Sequence, residues 1–305
     1  MRFAERLKQI ALTVGCLVGH PLWSARRLSR LPEIHRAGRF ARNWTTAAAS
    51  SGAAEALAPA AAAGANPLRD YFDAHVRGRG IYKWSHYFDL YQRHFARFVG
   101  RPVHVLEIGV YSGGSLDMWK HYFGPECRIT GVDIEPDCRA YEDERTRIVI
   151  GDQADRDFWR RMLRESPPVD IVIDDGGHRP EQQMVSLEEL LPAVRRGGVY
   201  VCEDVHKVAN RFGAFAQALA DQLNAFRKIP FDPATTGIAS GPTPWQQDIL
   251  SVHLYPYAVV IEKSPSPVHE LVAHKHGTEW APFVPMSGQQ TGVSAISRQT
   301  SRQTR

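Results

Sequence analysis

The stretch VHVLEIGVYSGGSLDMW, residues 103–119, decides the fold. Its first eight residues (103–110) form a nearly unbroken apolar run, as in a strand buried on both faces. The chain then turns through Gly109, Gly113 and Gly114 and continues as SLDMWKHYF (115–123), whose apolar spacing is helical. A strand, a glycine turn and a helix in that order make the repeating unit of an open α/β sheet. Such a turn brings the backbone close to a ligand beside a helix N-terminus.

The same unit recurs downstream. RITGVDI (128–134), TRIVIGD (146–152), VDIVID (169–174) and GGVYVCED (197–204) read as further strands. DRDFWRRMLRE (155–165) is an amphipathic helix. EQQMVSLEELL (181–191) puts Met184, Leu187, Leu190 and Leu191 on one face, and FGAFAQALADQLNAF (212–226) does so with Phe212, Phe215, Leu219 and Leu223. Finally, ILSVHLY (249–255) and AVVIEK (258–263) flank Pro256-Tyr257 and read as an antiparallel hairpin. The pattern predicts a doubly wound, mostly parallel seven-stranded sheet with an antiparallel C-terminal hairpin. That α/β architecture resembles the Rossmann-like class I methyltransferases. Upstream, Trp84, Tyr87, Phe88, Tyr91, Phe95 and Phe98 have helical spacing over 82–98, with Lys83 and His86 as candidates to face a ligand.

Composition bounds the rest. The 305 residues suffice for one large α/β domain and an appendage. Residues 1–44 hold nine Lys/Arg and two Glu, and the last twenty hold three Arg and no acid. Since the whole chain is only at +4, the body between them is acidic, which argues against a nucleic-acid-binding core. Cys16, Cys127, Cys138 and Cys202 show no paired spacing, as expected in a reducing compartment. Cys202, within an apolar strand, reads as a small core residue.

The expected organisation is a basic N-terminal segment (1–46), an Ala-rich linker (47–67), a cofactor-binding domain (68–285) and a disordered tail (286–305). The apolar run Ile10 to Gly19 is too short to cross a bilayer as a helix. With its basic flanks it suits contact with a partner or a membrane surface better than a cleaved signal. A cytoplasmic protein, with or without such membrane association, is expected. Homo-oligomerisation stays open.

Ligands of such sheets sit beyond the C-terminal strand ends. Strand one offers Glu107, Gly109, Gly113, Gly114 and Ser115 there. Strand two offers Asp133, placed to bond a ribose diol, and strand three offers Asp152 and Gln153, placed to reach an adenine edge. The glycine spacing departs from the G-x-G-x-x-G of dinucleotide dehydrogenases. With Asp133 and the 151–155 stretch, it points to S-adenosylmethionine. Asp175 at the end of strand four and Glu203 and Asp204 at the end of strand five converge if those strands are neighbours. Hard oxygen donors without cysteine select Mg²⁺, with Mn²⁺ as a substitute, over zinc. His178, two glycines past Asp175, is positioned to act as the general base on a substrate hydroxyl. His206 is a weaker candidate.

Taken in order, KWSHYFDLYQRHFARF, VLEIGVYSGGSLDMW, GVDIEP, GDQAD, IDDGGH, GGVYVCEDVH and SVHLYPYAVVIEK resemble the Mg²⁺-dependent sugar O-methyltransferases of macrolide and tetracenomycin-type antibiotic pathways, over about residues 80–263. The resemblance implies metal ligation at Asp175, Glu203 and Asp204, a histidine base at His178, and cofactor contacts at Glu107, the glycine loop, Asp133, Asp152 and Gln153. It also implies a sugar hydroxyl of a small-molecule glycoside as acceptor, on a natural product or a glycolipid. Catechol-like diols, and a recruited protein that binds the cofactor without turnover, are the alternatives. The chain departs from the family pattern in having D-G-G-H for D-G-S-H. It also has Lys207, Val208 and Ala209 where Thr-Ser-Tyr is usual, and the basic segment and linker where macrolide-type members have a larger N-terminal domain.

Overall fold

The computed structural model describes residues 66–207, 210–225 and 238–273, together with Arg36. The chain divides into two units, 1–64 and 65–305, and everything below concerns the second. The expectations for the basic segment, nearly all of the linker and the tail lie outside the described residues, as do the last residues of the 68–285 domain.

Five strands, β1 (Val103–Ile108), β2 (Cys127–Asp133), β3 (Thr146–Ile150), β4 (Val169–Asp174) and β5 (Val194–Cys202), pair in parallel. A short pair, β6 (Ile238–Ser240) with β9 (Leu271–Ala273), forms its own small sheet. The hairpin β7 (Ile249–Tyr255) and β8 (Ala258–Lys263) completes a seven-stranded sheet of order β3-β2-β1-β4-β5-β8-β7, with β8 antiparallel to β5. The strand order reverses between β1 and β4, so the switch point lies where the glycine turn leaves the sheet.

Side chains alternate across the sheet as a two-residue period requires. Val105, Ile171, Ile173, Val199, Val201 and Val260 face one core, and Leu106, Ile108, Val172, Tyr200, Val259 and Ile261 face the other. The first core is covered by α1 (Pro67–Ala74), α2 (Tyr87–Phe95) and α3 (Gly114–Phe123), which add Leu68, Tyr87, Phe88, Tyr91 and Trp119. The second is covered by α4 (Arg156–Glu165), α5 (Pro180–Leu190) and α6 (Arg211–Gln222), which add Trp159, Leu187, Leu190 and Phe212. A short helix α7 (Pro244–Asp248) leads into β7 behind a Thr243–Gln246 capping box. Among the described residues, no helix is long and apolar enough to cross a membrane.

Two of the boundary differences from the sequence expectation bear on the site. Helix α2 starts at Tyr87, so Tyr82 to Ser85 lie in an irregular strap, and Trp84, read as sharing the helical spacing, is 44% exposed. Strand β5 ends at Cys202 rather than Asp204. Asp204 has φ of 57°, which cannot continue an extended ladder, so Glu203 and Asp204 leave the sheet at its edge.

Candidate active site

Register delivers the site. Ile108 pairs with Val132 and with Asp174, and Asp174 pairs with Cys202. One further backbone bond continues each ladder: Gly109 N to Val132 O, Asp175 N to Ile108 O, and Glu203 N to Asp174 O, at 2.8–3.0 Å. The first residues past β1, β4 and β5 are therefore level, and they open on a cavity of about 700 Å³. That volume is within the roughly 300–1,000 Å³ usual for small-molecule sites.

Gly109 has φ of 89°, and a Cβ there would collide with the Asp175 carbonyl oxygen. Only glycine lets the first turn pass this close to the β4 end. Three non-glycine residues on the cavity wall, Tyr111, His178 and Asp204, also have positive φ (49°, 53° and 57°). Such strain, of order 1–3 kcal/mol each, concentrates where a side chain must be aimed.

The carboxylates divide into two groups. Asp175 and Asp204 bring donor atoms within 4.8 Å of each other and of a His178 ring nitrogen. Asp204 Oδ1 accepts from Trp84 Nε1 at 2.8 Å and from the Tyr87 hydroxyl at 3.0 Å, while His178 Nε2 lies 3.6 Å from Asp204 Oδ2. Glu203 is deeper. Its Oε1 accepts from the Tyr91 hydroxyl at 2.5 Å and its Oε2 from Lys83 Nζ at 3.0 Å. Lys83 also reaches Asp175 Oδ2 at 2.6 Å and lies 3.8 Å from Glu107 Oε1, its side chain only 2% exposed. Burial alone would push this ammonium down, but Asp175, Glu203 and Glu107 override it and hold it well above the ordinary lysine value. Burial pushes the Glu203 carboxyl up to about 8, against the pull of Lys83.

The expected cofactor residues behave differently from one another. Asp133 lines the cavity and its carboxylate fastens the glycine turn, accepting from Val110 N (2.8 Å) and Tyr111 N (3.1 Å). Gly109, Ser115 and Asp152 line the cavity too. Glu107 is fully buried behind the wall, accepting from Ser115 Oγ and Trp119 Nε1 at 2.9 and 3.0 Å. Gly113 and Gly114 serve packing: a Cβ on Gly113 would meet the Tyr141 ring, and one on Gly114 the carbonyls of Arg79 and Gly80. Gln153 lines the cavity as well but turns its amide inward, bonding Asp174, Ser186 and the Gly177 N–H. It thereby shapes the turn that carries His178.

Sequence reasoning missed the inner support. Asp174 is buried, bonded by Gln153 and Tyr200, and burial pushes it up to about 6. Alternation along β4 was the available signal, because it sends Asp174 and Asp175 in different directions. No periodicity pointed to the Trp84 and Tyr87 bonds to Asp204. His206, the weaker candidate, buries its Nε2 without a hydrogen bond, 3.5 Å from Asp204 Oδ1.

A glycine turn at the switch point, an acid at the end of β2 and an acid–histidine cluster at the ends of β4 and β5 share one edge. Residues 106–205 match a protein family described as "Methyltransferase domain". Over those residues the sequence is similar to a methyltransferase domain.

Two curated relatives are named as O-methyltransferases. The 8-demethyl-8-(2-methoxy-alpha-L-rhamnosyl)-tetracenomycin-C 3'-O-methyltransferase of Streptomyces olivaceus is 36% identical over 59% of this chain and 50% of its own length. The mycinamicin VI 2''-O-methyltransferase of Micromonospora griseorubida is 35% identical over 57% of this chain and 47% of its own. Among solved structures, the MycE methyltransferase from the mycinamycin biosynthetic pathway, in complex with Mg, SAH and mycinamycin VI, superposes with a TM-score of 0.52. It is 30% identical, with 65% of this chain and 52% of that one covered. The chain thus spans about half the length of the curated relatives it matches.

Proposed function

We propose that the chain is an S-adenosylmethionine-dependent, Mg²⁺-assisted O-methyltransferase acting on a sugar hydroxyl of a small-molecule glycoside. The observation that carries this is the convergence of Asp175, His178 and Asp204 at the edge that also holds the glycine turn and Asp133. The residues fit both groups. Asp175 and Asp204, with Glu203 beside them, are hard oxygen donors carrying more negative charge than Lys83 neutralises. The cavity, with Asp133 on its wall, has room for a nucleoside cofactor. The names of the relatives favour a glycoside acceptor.

When bound, S-adenosylmethionine supplies an electrophilic methyl group, and Mg²⁺ supplies a Lewis acid that makes a nearby hydroxyl more acidic. The chain's residues do the rest. Asp175, Glu203 and Asp204 would hold the ion, with Trp84 and Tyr87 fixing the orientation of Asp204. His178, 39% exposed in its side chain and open to the cavity, takes the acceptor proton, its Nε2 facing the Asp204 carboxylate, which stabilises the imidazolium. Tyr82 and Trp84 put exposed aromatic surface on the rim, suited to a bulky apolar aglycone. Such chemistry belongs in the cytoplasm, where the cofactor is made.

The test is calorimetric titration with S-adenosylmethionine, S-adenosylhomocysteine and NAD, each with Mg²⁺ and with EDTA, followed by a methylation screen of rhamnosyl and other deoxysugar glycosides. Selective binding of the two sulfur compounds and methyl transfer to a glycoside are expected. Binding of NAD alone would overturn the proposal, and transfer only to catechols would move the acceptor class.

A further inference from the structure

The segment between α1 and α2, residues 75–86, has no regular structure and forms one wall of the cavity from Gly80 to Ser85. Two side chains fasten it to the acidic edge. Lys83 Nζ sits 2.6 Å from Asp175 Oδ2 and 3.0 Å from Glu203 Oε2, and the neighbouring Trp84 Nε1 donates to Asp204 Oδ1 at 2.8 Å. The strap is thus held by the same carboxylates that are proposed to hold the metal.

We infer that Lys83 is the built-in counter-cation of this carboxylate cluster, and that a divalent ion binds by displacing its ammonium from Asp175, coupling metal binding to the seating of the strap. The inference rests on the Mg²⁺ reading above. Four carboxylates, Glu107, Asp175, Glu203 and Asp204, gather at this edge with one ammonium among them. Without a cation, their charges would repel one another in a poorly solvated site. Lys83 supplies that cation when no ion is bound. An ion on Asp175 would lie close to an ammonium hydrogen-bonded to the same carboxylate, and the two positive charges repel most strongly where water is excluded. Lys83 has somewhere to go: the buried Glu107 Oε1 is only 3.8 Å from its ammonium. The ammonium therefore swings inward toward Glu107, and the strap shifts with it. The indole on Asp204 reports the shift.

The test is Mn²⁺ calorimetry on the full chain, wild type against Lys83→Met, with tryptophan fluorescence recorded in parallel against Trp84→Phe. Removing the competing charge is expected to tighten Mn²⁺ binding roughly tenfold or more. Asp175→Asn should abolish that binding in either background. A Mn²⁺-dependent fluorescence change should appear in the wild type and vanish in Trp84→Phe. Equal or weaker binding by Lys83→Met overturns the inference. If neither protein binds Mn²⁺ while both bind S-adenosylhomocysteine, the metal reading itself fails and takes this inference with it. Should Lys83→Met not fold, as judged by S-adenosylhomocysteine binding, Lys83→Gln carries the same comparison.

Discussion

At the scale of single residues, His178 and Gly109 make opposite demands. His178 is half-exposed at the cavity: its ring nitrogen faces Asp204 at 3.6 Å and its side chain is 39% exposed. Replacing it with alanine should cost about 10²–10⁴ in turnover, the usual worth of a positioned base. Binding of S-adenosylhomocysteine, followed by calorimetry, should stay within a factor of a few. Unchanged turnover would remove His178 from the mechanism. Gly109 is structural in the strict sense, since a side chain at φ 89° would collide with the Asp175 carbonyl. Gly109→Ala should therefore lower the unfolding free energy by about 1–3 kcal/mol in a denaturant titration. It should also weaken metal binding, because the carbonyl that must move belongs to a proposed ligand. Much of this was legible beforehand: β-branched runs located the strands, and strand ends located the acids. Lys83 was harder to place, because the strap that carries it has no period to read. The inward role of Gln153 depends on a turn, 174–177, that exists only once β3 and β4 lie in one sheet.

At the scale of elements, the closing hairpin is tied to α2 and the turn after it by charge as well as packing. Glu262 on β8 receives Arg97 Nη1 at 2.7 Å and faces His94 Nδ1 at 3.1 Å. His253 on β7 lies 3.7 Å away, and Ser251 Oγ donates to the other oxygen at 3.3 Å. The bonds from His94 and Arg97 outweigh burial and hold the carboxyl down at about 2, against an ordinary 4.5. A depressed carboxylate stabilises the fold fully above its unfolded value, and that stability is lost as pH falls through the folded one. Glu262→Gln should thus be less stable than wild type by about 1–2 kcal/mol at neutral pH, since Arg97 is half-exposed and its bond is correspondingly weakened by solvent. The gap should narrow between about pH 4.5 and 2. A gap constant across that window, measured by thermal melts, would show that Glu262 acts through packing alone. The hairpin was plain from Pro256-Tyr257 and the two apolar runs. This tie was not, because Arg97 and Glu262 are 165 residues apart.

At the scale of the whole molecule, the candidate site joins parts from both halves of the sheet. Its cavity is lined from the strap, the ends of β1 to β5, and the turn before α5. No single element owns it. A ligand seated there bridges both halves of a sheet whose order reverses at β1 and β4, so binding should stabilise the entire domain and not one loop. Free ligand at a hundred times its dissociation constant adds about 2.7 kcal/mol. For a domain of this size that corresponds to a rise of roughly 5–10 °C in Tm. S-adenosylhomocysteine should produce this shift in the wild type and in Asp175→Asn alike, because Asp133 and the glycine turn are intact in both. Mg²⁺ should add a further increment in the wild type only, since Asp175→Asn removes one of its oxygen donors. Removing the metal with EDTA should cancel that second increment and leave the first. A wild-type Tm that rises with S-adenosylhomocysteine and ignores Mg²⁺ would keep the cofactor site and discard the metal. It would leave Lys83 as the permanent cation of the acidic edge.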